Sequence, residues 1–230
     1  MVIDEKLVEE MREWLRNYIN HTCIYRVKPE AQKLIGKAPN SFYTWQFYLR
    51  RGLFNAKFLN MVGVLFWYQF AERYRNVPFQ VTGLETGATP ILGAIAMTSH
   101  LFDIDVNVIS TRANRKKYGL LNRFEGIIDY NLPVMIVDDM CNSKDTIIRC
   151  MNYVSDEGLQ ICNEGWTIVN KDVDGIHPDH DKYIGDTGLK IRSIFTLSEF
   201  DLSWNDYISK NGNIDEVEFV SERNLPLRAQ

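Results

Sequence analysis

Two adjacent carboxylates, Asp138 and Asp139, follow the apolar run Val134, Met135, Ile136 and Val137 and precede a polar stretch, Asn142-Ser143-Lys144-Asp145-Thr146. A short continuous apolar run marks a strand buried on both faces of a parallel sheet. In open α/β sheets the ligand crevice lies outside the carboxyl ends of the strands, so paired acids there are placed to meet a substrate. The polar stretch stands just before another apolar segment and can open a helix, whose free N–H groups make a phosphate cradle. An acid pair that only caps the next helix is the competing reading of this pattern taken alone.

The elements around this stretch set its position. Phe79 to Thr82 reads as a first strand, Gly83-Leu84-Glu85-Thr86-Gly87-Ala88-Thr89-Pro90 as a turn, and Ile91 to Ser99 as the helix after it. Two glycines allow a tight turn and close backbone approach to a ligand. Asp105 to Thr111 is predicted as the next strand. It leads into a basic loop carrying Arg112, Arg115, Lys116, Lys117 and Arg123. These cations can bind a polyphosphate or can simply be solvated. Ile147 to Val154 is predicted as a helix, and Trp166 to Asn170 and Ile191 to Phe195 as two more strands. The alternation of strand and helix from Phe79 onward predicts a parallel sheet covered by helices.

The N-terminal third is predicted to be helical and looped. Asp4 to Ile19 spaces Leu7, Val8, Met11, Leu15, Tyr18 and Ile19 as a packing helix. Asn20 to Tyr43 is broken by Pro29, Gly36 and Pro39 and reads as a loop with at most one short helix. Thr44 to Gly52 is aromatic and then doubly basic at Arg50 and Arg51. It is either a pocket lining for a flat anionic ring or a core strand with two solvated arginines. The helix after Gly52 is predicted to end near Arg75, ahead of Pro78. Asn55, Lys57, Asn60 and Gln69 make it too polar for a membrane span of about 20 residues.

Composition narrows the class. The chain has 230 residues, 45% hydrophobic and 24% charged, as in an ordinary globular protein. A formal charge of −4 gives no global attraction to nucleic acid or to an anionic membrane, so neither is expected as a partner. RNA binding through Arg112 to Arg123 is the weaker use of that loop, since no supporting motif accompanies it. Cys23, Cys141, Cys150 and Cys162 show no C-x-x-C spacing, and the N-terminus is acidic, which points to a reducing cytoplasm. His177-Pro178-Asp179-His180-Asp181 reads as a polar connection rather than a metal site, because proline interrupts it and no third ligand is evident.

Several of these segments, in the same order, resemble one family. VMIVDDMCNSKDT is similar to the phosphoribosyl-pyrophosphate signature of the type I phosphoribosyltransferases. FYLRRGLFN from Phe47, TGLETGATPILGAIA, RANRKKYG followed by EG, GWTIVNKDVDG and LKIRSIFTLSEFDL resemble the orotate phosphoribosyltransferases within that family. The similarity runs from about Phe42 to Leu202. It implies a Rossmann-like parallel sheet flanked by helices, with N-terminal helices and a base-binding hood over residues 1–78, a transferase core over 79–200 and a C-terminal extension over 201–230.

The resemblance implies displacement of pyrophosphate from phosphoribosyl pyrophosphate by a ring nitrogen of a base, with Mg²⁺ on the pyrophosphate and no dedicated protein metal cage. Asp138 and Asp139 would meet the ribose. Asn142, Ser143, Lys144 and Thr146 would hold the 5′-phosphate, and Thr86, Gly87 and Ala88 the pyrophosphate. Arg112 and Lys116, helped by Arg115 and Lys117, would neutralise the leaving group, and Tyr48 and Arg50 would border the base. The family's basic loop reaches into the neighbouring subunit, so a homodimer is implied. Where the family usually has lysine, histidine and glycine, this chain has Ala113, Tyr118 and the pair Lys144-Asp145. A catalytically silent nucleotide-binding protein on the same fold is the alternative expectation.

Overall fold

The structure, a computed structural model, describes residues 3–26, 34–35, 42–43, 45–114, 122–142, 144–171, 189–202 and 207–208. Ser143, Arg115, Lys116, Lys117 and the His177–Asp181 motif lie outside the described residues.

Helix α1 (Glu5–Tyr18) starts where Asp4 accepts a hydrogen bond from the Leu7 N–H at 2.8 Å. Its buried stripe, Val8 and Leu15, packs into the core with Trp14 and Tyr18 partly covered. The segment read as a loop instead begins with a π-helical turn, Ile19–Cys23, and strand β1 (Ile24–Arg26). Strands β2 (Leu34–Ile35) and β3 (Phe42–Tyr43) follow. Strand β4 (Trp45–Phe47) pairs antiparallel with β1, then a 3-10 turn runs over Leu49–Arg51. Strands β1, β2 and β3 escape sequence reading because each is only two or three residues long, too short for alternation to register, while β4 matches the core-strand reading of Thr44 to Gly52.

Helix α2 (Ala56–Asn76) is capped by Asn55, which accepts from the Phe58 N–H at 3.0 Å, and stops ahead of Pro78 as expected. Its polar Gln69 faces the sheet: it accepts from Trp166 Nε1 at 3.0 Å and donates to the Ser193 carbonyl at 3.3 Å. Among the described residues no helix is long and apolar enough to cross a membrane. Gly63 lets α2 press against α3 (Ala88–Thr98), since a Cβ there would stand 2.5 Å from the Ala94 carbonyl oxygen. Helix α3 begins three residues before the predicted Ile91. Pro90 does not delay it, because N–H groups in a first turn have no intrahelical acceptor.

The central sheet is built from β5 (Gln80–Leu84), β6 (Val108–Thr111), β7 (Phe124–Glu125), β8 (Val134–Cys141), β9 (Glu164–Asn170) and β10 (Lys190–Thr196). Their order is β10-β9-β8-β5-β6-β7, all parallel except β7, which turns back antiparallel on β6. Both faces are covered. Met135 and Val137 of β8 join the cluster formed with α1, α2 and α3, whereas Val134 and Ile136 join the one formed with α4 (Asp145–Asp156). The predicted parallel α/β sheet is therefore present. A two-residue strand, β11 (Tyr207–Ile208), pairs with β3, and β3 with β2, in a separate antiparallel sheet.

Successive connections leave β5 in opposite directions: β6 lies on one side of it, β8, β9 and β10 on the other. The β5/β8 boundary is thus the topological switch point, where the loops after the two strands diverge and leave a crevice.

Candidate active site

Strand β8 runs on to Cys141, because its parallel pairing with β9 continues to Cys141↔Asn170. Asp138 and Asp139 therefore sit inside the strand rather than beyond its end. Consecutive strand residues start toward opposite faces of the sheet, yet one oxygen of each carboxylate comes to the side of the β5 turn. Asp138 is buried at 6% exposure and acts on Cys150 of α4, whereas Asp139 is half-buried and feels Arg50 and Lys171. The Asp138 carboxylate also accepts the Asp139 N–H at 2.9 Å. Burial raises the Asp139 carboxyl above the ordinary carboxylate range, offset in part by the Met140 main-chain N–H and the charges of Arg50 and Lys171.

The turn after β5 lies across the crevice from these acids. A Cβ on Gly87 would stand 3.3 Å from Asp139 Oδ1 and 3.4 Å from Asp138 Oδ1. Gly83 is more confined, with a Cβ there 2.3 Å from Ala88 Cβ and 2.5 Å from the Val137 carbonyl oxygen. Thr86 is exposed, Ala88 is buried as the first residue of α3, and the peptide between Glu85 and Thr86 is cis. Of this turn, Gly87 is the residue that meets Asp138 and Asp139, with Thr86 and Ala88 on either side of it in the chain.

The polar stretch after β8 does open a helix. Lys144 precedes α4 at φ +59°, in the left-handed region, and no side chain caps the helix there. The first helical bond runs from the Ile148 N–H to the Lys144 carbonyl, so the N–H groups of the first turn point out of the N-terminus. Thr146 is half-buried in that turn, and the buried Oδ1 of Asn142 has no hydrogen-bond partner among the described residues. The backbone shape that a glycine would give is thus adopted by a lysine.

The N-terminal region supplies the third wall. Arg50 and Tyr48 are both exposed, Tyr48 at 39%. Tyr48 lies 6.2 Å from Tyr25, over whose ring Arg51 sits at 5.2 Å. The two arginines therefore divide: Arg51 is taken up by an aromatic ring, while the charge of Arg50 reaches Asp139. Lys171 was missed by the motif reading. It follows β9, its Nζ lies 5.6 Å from the Phe47 ring centre and 5.8 Å from that of Trp45, and its charge acts on Asp139. The signal was a cation immediately after a strand's carboxyl end, in the NKD of GWTIVNKDVDG.

Arg112 leaves β6 with its Nη1 3.5 Å from Glu125 Oε1 and its buried Nε without a partner among the described residues. No group of three or more His, Cys, Asp or Glu side chains that could hold a metal occurs among the described residues. The adjacent carboxylates suit Mg²⁺ nonetheless, because that ion is commonly held by one or two carboxylates together with substrate phosphates and water.

No protein-family model matches the chain. It is 25% identical over 155 residues to an orotate phosphoribosyltransferase of Corynebacterium glutamicum, covering 67% of this chain and 78% of that protein. It is 23% identical over 110 residues to one of Methanocaldococcus jannaschii, covering 48% of this chain but only 57% of that protein's length. Among solved structures, the orotate phosphoribosyltransferase of Mycobacterium tuberculosis in complex with Fe(III) dicitrate matches with a TM-score of 0.64 at 19% identity, over 84% of this chain and 99% of the other. The same organism's enzyme in complex with phosphoribosyl pyrophosphate matches with a TM-score of 0.57 at 19% identity, over 83% of this chain and 92% of the other. With the switch-point site, these likenesses lead to one conclusion: the chain has the fold of the type I phosphoribosyltransferases and is similar in sequence to the orotate phosphoribosyltransferases.

Proposed function

We propose that the protein transfers the 5-phosphoribosyl group of phosphoribosyl pyrophosphate to a ring nitrogen of a base, with orotate the first base to test. A bond forms from the ring nitrogen to C1′ as the C1′–oxygen bond breaks, and the electron pair leaves with pyrophosphate. The observation that carries this reading is the approach of Gly87 to both aspartates across the β5/β8 switch point. In this reading the N–H groups of the turn, offered to an anion, stand opposite carboxylates offered to a sugar.

In this reading Asp138 and Asp139 accept hydrogen bonds from the ribose hydroxyls and favour the positive charge that grows on the ring. Thr86, Gly87 and Ala88 offer main-chain N–H groups to pyrophosphate. Asn142, Ser143, Lys144 and Thr146 hold the 5′-phosphate at the start of α4. Arg112, with Lys116, Arg115 and Lys117, neutralises the departing charge. Tyr48 and Arg50 border the base, within the hood formed by residues 1–78. When bound, Mg²⁺ screens the pyrophosphate, with Asp138 or Asp139 nearby. A homodimer in the cytoplasm, making pyrimidine nucleotides, is part of the same proposal, and the four buried free cysteines support the reducing compartment.

The test is Mg²⁺-dependent pyrophosphate release across a panel of pyrimidine, purine and pyridine bases, beside Asp139→Asn. Release with one base, lost in the variant, is the expected result. Silence with every base would leave the nucleotide-binding alternative, which Asp145 in the first turn of α4 favours. Calorimetry with phosphoribosyl pyrophosphate and with nucleotides then separates the two.

A further inference from the structure

The main chain at Ala113 is gripped from three sides. Its N–H donates to Glu85 Oε1 at 3.1 Å, and its carbonyl accepts from Arg123 Nη1 at 3.3 Å and from the Tyr153 hydroxyl at 3.4 Å. Arg112, just before it, is bracketed by the same arginine. The Arg112 N–H donates to the Arg123 carbonyl at 2.8 Å, and the Arg112 carbonyl accepts from Arg123 Nη1 at 3.2 Å. The Arg123 guanidinium carbon lies 3.7 Å from the centre of the Tyr153 ring on α4, a stacking contact that orients the planar cation before it donates.

The β6/β7 pairing ends at Thr111↔Phe124, one step before this point, where a strand pair would otherwise fray. The contacts above fall just beyond that end. They also join two parts of the site. Glu85 belongs to the turn that carries Thr86, Gly87 and Ala88, and its own N–H donates to the Thr111 carbonyl at 2.8 Å. One carboxylate therefore ties the donors proposed for pyrophosphate to the root of Arg112, proposed for the same leaving group.

The geometry points to Arg123 as a positioning residue that acts through Arg112, with Tyr153 and Glu85 as its supports; the assignment rests on the transferase reading above. Arg123 holds both main-chain groups of Arg112, and Tyr153 holds Arg123. The transition-state charge is met by Arg112 only while that root stays in place, because a displacement of about 1 Å at a reacting centre costs rate on the order of 100-fold.

The experiment compares full-length wild type with Arg123→Ala, Arg123→Lys and Glu85→Ala. Arg123→Ala is expected to lower kcat by about 10- to 100-fold while the KM for the base stays within about twofold. Added guanidinium ion restores part of the loss, and Arg123→Lys retains part of the activity. Amide hydrogen exchange at Ala113 speeds up in Arg123→Ala and Glu85→Ala, while exchange in β8 is unchanged. Faster exchange with unchanged kcat would make the clamp merely structural, and unchanged exchange would remove it; either overturns the inference. A wild-type protein silent on every base defeats the transferase reading separately. The inference is then decided by calorimetry with Mg²⁺–pyrophosphate: about fivefold weaker binding in Arg123→Ala upholds it, and equal binding overturns it.

Discussion

Gly87 faces Asp139 so closely that a Cβ built on the glycine would lie 3.3 Å from both Cγ and Oδ1 of the carboxylate. The three atoms nearest that point all belong to the carboxylates of Asp139 and Asp138, so these acids must give way to a side chain placed there. Gly87→Val is expected to leave thermal stability within about 0.5 kcal/mol of wild type, as for substitutions that leave the core untouched, yet to weaken phosphoribosyl pyrophosphate binding. Paired melting and calorimetry test it; tight binding by the variant would show that the acid does not need its present position.

At Asp139 the fold and the proposed role at the ribose pull in opposite directions. Its carboxyl is raised by burial, so the native state holds its proton more tightly than the unfolded chain does. Between the unfolded pKa and the raised native one, stability therefore falls as pH rises. Asp139→Asn is expected to raise Tm at neutral pH by about 2 °C while reducing turnover by at least about 100-fold. In wild type, kcat/KM falls on acidification at a pH above the ordinary carboxylate range. A variant that melts lower and still turns over contradicts both halves.

At Lys144 the left-handed backbone sets a cost of about 1 kcal/mol on a residue with a Cβ. Lys144→Gly is expected to recover roughly that amount in urea denaturation. If the lysine charge also serves the 5′-phosphate, the same variant raises the KM for phosphoribosyl pyrophosphate. Gain in stability with no change in KM would assign Lys144 to the turn alone.

Gly83 is confined by atoms that cannot swing aside, Ala88 Cβ and the Val137 carbonyl oxygen. Gly83→Ala is expected to destabilise the protein by about 1 to 3 kcal/mol, as overpacking does. Equal urea midpoints for the two proteins would refute the close approach of β5, β8 and α3.

Each of the four cysteines is buried, and burial pushes the thiols of Cys23 and Cys162 up to about 11 and that of Cys150 to about 12. At pH 8 a disulfide reagent is expected to react slowly with the native protein and promptly with all four after denaturation. Fast labelling of the native state would be inconsistent with this packing.

Much of the architecture was legible in local pattern. The apolar run of Val134 to Val137, the glycine turn after Phe79 and the alternation of strands with helices are short-range signals, and they were sufficient for a parallel α/β sheet, although the acids expected at a strand end sit inside β8. Motif order carried the family resemblance. The two- and three-residue strands β1, β2 and β3 were not legible, because so few residues show no period and their pairing partners lie elsewhere in the chain, whereas β4 falls within Thr44 to Gly52, where a core strand was one of two readings.

The sequence by itself determined which residues could do the chemistry: two acids after an apolar run, small residues in a turn, and cations in a loop. Only the tertiary structure decided which of them meet. Strand order set β5 beside β8 and so brought Gly87 against Asp139, residues 52 positions apart in the chain. It separated Arg50 from Arg51 and drew in Lys171, whose charge acts on Asp139 from the end of a different strand. It also folded Arg123 back onto Arg112 and Tyr153, contacts whose sequence separations of 11 and 30 carry no local signature. Such contacts depend on which strands neighbour one another, and that is settled by the packing of both sheet faces together.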